Sequence, residues 1–353
     1  MIRFPLSIGN TLKKYGYIFY ILLIIPFLSG LYFGGVFNSD FFIGSYEKHH
    51  GYLSYFAIIG YSIVLISNPK EHLQKYLNWS IISAFFVALI AIGEHLGGGF
   101  DIYNRSGMYS MYPGRSSGTL GNPNYLAGYM LVFIPILMEY ILNWDWKIKQ
   151  KYIPIGYIGA LLIFLGGIYV SGSYIANTLI LFLLLWYSLG YFFGKHIGKQ
   201  FSIFLLIISI LLSLGFNFIE ADKLLSFESR FILMKELIGI LLSHPMGLLI
   251  GFGPDSILSY FSDFRSDLVN SYFPNSMNID SSHNLFIDTV FQYGLLPIFT
   301  YIYSCIKRGV SLKNPYILSI ILLIVFLTFN VYIITHILLL ILLSILLLRT
   351  VNP

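Results

Sequence analysis

The stretch from 152 to 194 reads YIPIGYIGALLIFLGGIYVSGSYIANTLILFLLLWYSLGYFFG and contains no Asp, Glu, Lys or Arg. A helix needs about 20 mainly apolar residues to cross the hydrocarbon core of a bilayer, so this stretch is long enough to cross twice. The polar break Ser171-Gly172-Ser173 divides it. The stretch therefore predicts two transmembrane helices, 152–171 and 174–193.

Similar apolar stretches recur along the whole chain and bring the number of predicted spans to ten. The other eight are approximately 17–37, 51–67, 77–97, 123–143, 201–219, 284–305, 315–333 and 334–348. Of the 353 residues, 57% are hydrophobic and only 10% are charged, whereas a soluble domain carries about 25% charged residues. We expect an all-α, polytopic transmembrane helical bundle that forms a single integral membrane domain over 1–353.

The positions of the basic residues predict how the bundle is oriented. If the N-terminus is cytoplasmic, fourteen of the 21 Lys and Arg residues lie in inner segments and seven in outer ones. Short cytoplasmic loops are enriched in Lys and Arg, so this count favours both termini in the cytoplasm. The basic residues are spread over short loops rather than gathered in a patch, so nucleic acid is not an expected partner.

The longest non-spanning piece is the segment 220–282, which the charge count places on the outer face. Its part from 231 to 252 is apolar but also contains Lys235, Glu236, His244 and Pro245. We interpret this part as a helix lying at the membrane interface, followed by a Gly- and Pro-rich turn. If it crossed the membrane instead, every later loop would change sides.

The first group of unusual outer residues is the loop RSSGTLGNPN, from Arg115 to Asn124. Asn122 before Pro123 is a good helix start, because Asn caps the helix and Pro in the first turn loses no donor. That role does not account for Arg115. An arginine above the exposed amides of a helix N-terminus is a plausible anion site.

The second group lies in the outer segment and just after it. Arg230 precedes the interfacial stretch, and taken alone it suits contact with a lipid phosphate. His283 starts the predicted span 284–305, with Asp280 or Ser282 as the expected helix cap, and an imidazole there can accept a proton near neutral pH. The single cysteine, Cys305, and the absence of metal-binding histidine spacing argue against a metal site.

Three segments together resemble the O-antigen ligase and O-antigen polymerase superfamily, bacterial membrane glycosyltransferases of the GT-C type. They are Arg115 to Asn124, Arg230 to Pro254 with its P-x-G-x-x-x-G-x-G-P ending, and His283-Asn284 followed nine residues later by Gly294. The resemblance covers roughly 90–300. One position departs from it, because Tyr174 stands where an arginine after Ser173 is common.

The resemblance implies a bacterial inner-membrane protein with its active site on the outer face. It also implies a glycan donor on undecaprenyl diphosphate, a sugar hydroxyl acceptor and no metal or other cofactor. His283 and Arg230 are then the candidate catalytic residues, as base and as diphosphate contact. The candidate substrate-binding residues are Arg115, Arg105, Asn122, Asn124 and Asn284. Membrane lipids and a chain-length-regulating membrane protein are the expected partners.

The resemblance does not separate two glycosyltransferase activities, and the residues leave other functions open. A repeat-unit polymerase is slightly favoured over a ligase that transfers glycan to lipid A-core. A flippase for lipid-linked oligosaccharide, or another transporter, is the alternative of a different class. It would place polar groups along a central path, where this chain has few. A non-catalytic membrane scaffold would tolerate substitution of every outer histidine and arginine.

Overall fold

A computed structural model of the protein describes residues 22–33, 39–44, 51–97, 114–143, 152–192, 221–261, 265–273, 279–296, 299, 315–328, 330 and 334–351. Over these ranges the secondary structure is helical, with turns and loops and without a strand. The predicted all-α class is therefore confirmed for the part of the chain that the structure describes. The chain divides into two compact units. The first comprises Met1–Lys75, Ser226–Ser311 and Asn330–Pro353, and the second comprises Tyr76–Leu225 and Leu312–Phe329.

Fifteen α-helices are described, together with one 3₁₀ turn at Gly118–Leu120. In chain order they are α1 Leu22–Tyr32, α2 Ser39–Ile43, α3 Tyr52–Ser67, α4 Lys70–His95, α5 Pro123–Leu131, α6 Ile134–Leu142, α7 Tyr152–Ser171, α8 Tyr174–Phe192, α9 Ala221–Ser243, α10 Pro245–Ile250, α11 Ser256–Phe261, α12 Asp267–Tyr272, α13 Leu285–Tyr293, α14 Pro315–Leu327 and α15 Ile334–Val351.

Most of the predicted spans correspond to helices with similar bounds. The two spans of the charge-free stretch are α7 and α8, which meet at the expected break. The predicted span 123–143 is divided into α5 and α6, since Pro135 has no N–H to donate to the preceding turn. The predicted span 201–219 lies outside the described residues, as does the end of 284–305.

Two helices in the described part of the chain are long and apolar enough to cross a membrane. They are α4 and the combined run Pro123–Leu142 of α5 and α6. The remaining apolar helices of 10–17 residues are Leu22–Tyr32, Tyr52–Ser67, Ile155–Ser171, Tyr174–Leu185, Pro315–Leu327 and Thr335–Leu347. The structure thus agrees with a membrane association at the level of these two helices, and the ten-span bundle stays a prediction.

Helix α4 is apolar on two opposite faces. The inward face carries small and medium residues buried in the second unit, namely Leu77, Ile81, Ala84, Ala88 and Ala91. A Cβ added to Gly167 of α7 would lie 3.1 Å from the Cβ of Ala88, so small residues let these two helices approach closely. The outward face presents Trp79 and Phe86, which are 68% and 59% exposed. Small residues at the helix contact and large apolar residues facing out are typical of membrane helices.

The first unit has a core built around α9, α11 and α13. Leu233, Leu237 and Leu241 recur every fourth residue on α9 and form one buried face. Phe252 lies at the centre of this core, stacked on Tyr260 with ring centroids 4.3 Å apart and tilted against Phe291 at 4.7 Å. This core fixes the position of the turn between α10 and α11 against α13.

Candidate functional site

Helix α9 places Arg230 at the edge of the first unit's core. Arg230 lies three residues before Leu233 and seven before Leu237, so it continues the buried face of the helix towards its N-terminus. Its side chain is half-buried. One turn further along, the sulfur of Met234 lies 3.9 Å from the side-chain nitrogen of Asn284. Arg230 lies one turn before Met234 on the same face of α9.

His283 adopts a backbone conformation that is unusual for a residue with a side chain. Its φ is +60°, in the left-handed region, and Asp255 is the only other non-glycine residue with positive φ among those the structure describes. Such a conformation costs about 1–2 kcal/mol for an L-residue. The surrounding bonds must therefore hold His283 in place.

A buried carboxylate provides these bonds. Asp288, only 1% exposed, accepts a hydrogen bond of 2.6 Å from the Ser281 hydroxyl on one oxygen. Its other oxygen accepts from the backbone N–H and the hydroxyl of Ser282, at 2.8 and 2.6 Å. The Ser281 hydroxyl oxygen in turn accepts from the N–H of His283 at 3.0 Å, and that of Ser282 accepts from the N–H of Asn284 at 3.2 Å. Three consecutive amides are thus tied to one carboxylate, either directly or through one hydroxyl.

Asn284 is the N-cap of α13. Its side-chain oxygen accepts from the N–H groups of Phe286 and Ile287, at 3.0 and 3.2 Å. The prediction that Ser282 or Asp280 caps this helix was wrong, since Asn284 already satisfies the first free amides. The side-chain oxygen of Asn284 therefore has a structural role, and its contact with a substrate stays a prediction.

The C-terminal end of α13 is held by the glycine-rich turn after α10. The N–H groups of Phe252 and Gly253 donate to the carbonyls of Phe291 and Gln292 at 2.8 and 3.0 Å, and so cap the last turn of the helix. A Cβ on Gly294, whose φ is +78°, would overlap the carbonyl of Leu249. The glycines of the second and third sequence motifs therefore allow two backbone segments to touch.

Helix α12 packs beside α9, with polar pairs at its two ends. Glu236 accepts a hydrogen bond from the Ser266 hydroxyl, and burial raises the pKa of Glu236 against the opposing effects of Ser266 and Arg265. At the other end, a hydrogen bond to Glu228 raises the pKa of Tyr272. Tyr272 is thus engaged with a carboxylate of α9.

Arg115 in the second unit closes a corner between two helices. Its Nε donates to the carbonyl of Ser171, the last residue of α7, at 2.7 Å, and its Nη2 donates to the side-chain oxygen of Asn124 at 2.9 Å. Gly172 makes room, because a Cβ there would lie 3.2 Å from the Arg115 Nε and Cγ. A cation at the C-terminus of α7 also suits the helix dipole. These two bonds engage two of the five N–H groups that an arginine has.

The loop that carries Arg115 is fixed by its amides. Glu94, near the end of α4, accepts from the N–H of Gly118 at 2.9 Å and from that of Ser117 at 3.3 Å. The N–H of Ser116 donates to the carbonyl of Val170 at 2.9 Å. Asn122 caps α5 by accepting from the N–H of Asn124 at 2.8 Å, which confirms the predicted cap.

The predicted site residues thus fall into two groups. Arg230, His283 and Asn284 lie in the first unit, and Arg115, Asn122 and Asn124 lie in the second. Arg105 lies outside the described residues. Sequence reasoning missed Asp288 and Glu94. A signal for Asp288 exists in the sequence, because an acid in the first turn of a helix preceded by Ser-Ser can accept their donors. Glu94 is 23 residues away from its loop, so no local pattern indicates it.

No family model, curated protein or solved structure matches this chain.

Proposed function

We propose that the protein is a membrane glycosyltransferase that transfers a glycan from undecaprenyl diphosphate to a sugar hydroxyl at the outer face of the membrane. The proposal rests first on the resemblance of three motifs. The observation that carries it further is the arrangement at the start of α13. There a half-exposed histidine is held in a left-handed conformation by a buried carboxylate, on the same unit as a half-buried arginine.

The chemistry suits these side chains. The acceptor oxygen forms a bond to the anomeric carbon while the bond from that carbon to the diphosphate oxygen breaks. Undecaprenyl diphosphate leaves with the electron pair, and His283 takes the proton of the acceptor hydroxyl. In this proposal Arg230 neutralises the negative charge that grows on the leaving diphosphate, which requires no metal.

The exposed side of α9 supports a position at the membrane interface. Phe231, Lys235, Ile238 and Leu242 follow one another at helical spacing on the face opposite the core, and all are exposed. An apolar stripe with a lysine is what a helix lying in the headgroup region presents to lipid. In the proposed ten-span arrangement, Arg230 would lie at the depth of a lipid diphosphate.

The second unit supports a contact to the donor through Arg115. The corner Ser171-Gly172-Ser173 lacks an arginine of its own, since Tyr174 follows it. The guanidinium of Arg115 bonds to this corner. We assign to Arg115 the task of holding the donor's phosphates, with Asn122 and Asn124 fixing the loop, and Arg105 as a further candidate contact.

Purified protein in liposomes with lipid-linked repeat units tests the function. We expect wild-type protein to form glycan, and His283→Ala and Arg230→Ala to lose at least about 100-fold of the rate. His95→Ala is the control for the histidine variant, because His95 is exposed and lies on α4, outside the candidate site. Transfer at the wild-type rate by both site variants would overturn the assignment.

The same assay separates polymerase from ligase when lipid A-core is added or left out. A ladder of products without core identifies the repeat-unit polymerase, which we favour. Products that appear only with core identify a ligase. Movement of labelled lipid-linked glycan across the bilayer without any joining of sugars would identify a flippase and would overturn the proposed transfer reaction.

A further inference from the structure

Asp288 is a buried carboxylate of the first unit. Its hydrogen bonds go to the two residues that precede His283, a candidate catalytic residue. Asp288 lies at the fourth position of α13, one turn inside the helix. From there its two oxygens reach back to Ser281 and Ser282, which precede the helix. A first-turn carboxylate also suits the helix dipole, but a dipole interaction needs neither burial nor three hydrogen bonds to the preceding loop.

The helix does not need Asp288 for its cap. Asn284 accepts the amides of Phe286 and Ile287 by itself. The bonds of Asp288 instead hold the three residues before that cap, and His283, whose N–H ends the chain Asp288–Ser281–His283, is the residue with φ +60°. The network therefore determines the direction in which the His283 side chain leaves the backbone.

We infer that Asp288 is a positioning residue: through Ser281 and Ser282 it locks His283 in the left-handed conformation that presents its imidazole to the acceptor hydroxyl. This inference rests on the proposed function for its role in catalysis. The positioning itself is independent of that function and can be measured separately.

The structural arm of the test measures acylation of histidines by diethyl pyrocarbonate, read by peptide mass spectrometry. Asp288→Asn removes the negative charge, and its amide nitrogen cannot accept the hydroxyl proton of Ser281, so the hydrogen bonds of the network weaken and hold His283 less firmly. We expect the acylation rate of His283 to change at least about threefold, on the scale of the net contribution of one ordinary hydrogen bond. His95 and His244 provide internal standards whose rates stay constant.

The catalytic arm measures kcat and KM for glycan transfer. Misplacing a reacting group by about 1 Å costs about 100-fold in rate, so we expect kcat to fall about 10- to 100-fold with little change in KM. Ser281→Ala is the milder variant, because it removes the two bonds of the Ser281 hydroxyl, one to Asp288 and one from the N–H of His283, and keeps both bonds of Ser282 to Asp288. Asp267→Asn is the matched control, an exposed acid in the first turn of α12.

The outcomes separate the two claims. Unchanged acylation of His283 in both folded variants overturns the positioning role, whatever the enzyme activity. Changed acylation without any glycan transfer by wild-type protein supports the positioning role and overturns the proposed function instead. If Asp288→Asn does not fold, Ser281→Ala decides the question through the same two measurements.

Discussion

At the scale of single residues, the two units use the same device. A carboxylate on a helix accepts backbone amides of a loop and so fixes the side chain that the loop presents. Asp288 does this for His283 in the first unit, and Glu94 does it for the loop of Arg115 in the second. Because the backbone amides of each loop are hydrogen-bonded, the loop has little freedom to relax when a neighbouring side chain is replaced. The effect of a single substitution then reports on the side chain that was changed.

Arg115→Lys is the substitution that tests the second unit. Lysine keeps the charge, but its ammonium cannot reproduce the planar fork of a guanidinium, so we expect the KM for the lipid-linked donor to rise about tenfold with a smaller effect on kcat. The measurement is steady-state transfer at varied donor concentration, with thermal unfolding in detergent alongside.

Arg265→Lys is its matched control, because Arg265 also donates to a carbonyl, that of Phe273 at 2.8 Å. A purely structural Arg115 would show a lower unfolding temperature in both variants and an unchanged donor KM in both. That result would remove Arg115 from the proposed binding site.

At the scale of elements, α13 is the helix that begins at the candidate site, and both of its ends are held by hydrogen bonds. Asn284 caps its start, and the turn of Phe252 and Gly253 caps its end. The nine residues between Asn284 and Gly294 in the sequence motif are the helix itself. At 1.5 Å per residue they span about 13 Å. The nine-residue spacing of the motif is therefore the length of α13, which connects His283 to the close backbone approach at Gly294.

Gly294→Ala tests that crossing. An alanine there must adopt a positive φ, which costs about 1 kcal/mol. Its Cβ also overlaps backbone atoms, which costs about 1–3 kcal/mol more. We expect the free energy of unfolding of the first unit to fall by about 2 kcal/mol or more, measured as a lower thermal unfolding midpoint.

The control is Gly239→Ala on α9, where an added Cβ meets nothing within 4 Å. Alanine in a helix interior is more favourable than glycine by about 0.5–1 kcal/mol, so this variant is expected to be slightly more stable. Equal stability of both variants would contradict the close approach at Gly294.

Much of the element level follows from local sequence, and the missing parts have a physical reason. The bounds of α7 and α8 and the cap at Asn122 depend on neighbouring residues, and the predictions were confirmed. The cap of α13 was predicted wrongly, because Asp280, Ser282 and Asn284 all have capping side chains and only the position of Asp288 selects among them. The bond between Arg115 and Ser171 joins residues 56 apart and is not encoded in any local pattern.

At the scale of the whole molecule, the question is which surfaces face lipid and which face water. Helix α4 exposes large apolar residues on one face and packs small ones on the other, as a lipid-facing helix does. The count of basic residues then gives a direction to the crossing. It predicts that the N-terminal end of α4 is cytoplasmic and that α12 is outside.

Cysteine labelling in intact cells tests this topology. After the single cysteine, Cys305, is replaced by serine, cysteines are introduced one at a time at Ser271 and at Lys70, which are both exposed. We expect a membrane-impermeant maleimide to label the cysteine at 271 in intact cells, and the one at 70 only after permeabilisation. The reverse pattern would place His283 on the cytoplasmic side and would exclude an outer active site.

The anchoring of α13 at both ends has a consequence for how this segment tolerates change. Each residue of a helix turns the chain by about 100°. An inserted or deleted residue between Asn284 and Gly294 would leave one end in place and rotate the other away from its partner. In a library of variants, α13 should therefore accept many replacements at an outward position such as Phe286, which is 46% exposed, and reject every change of length.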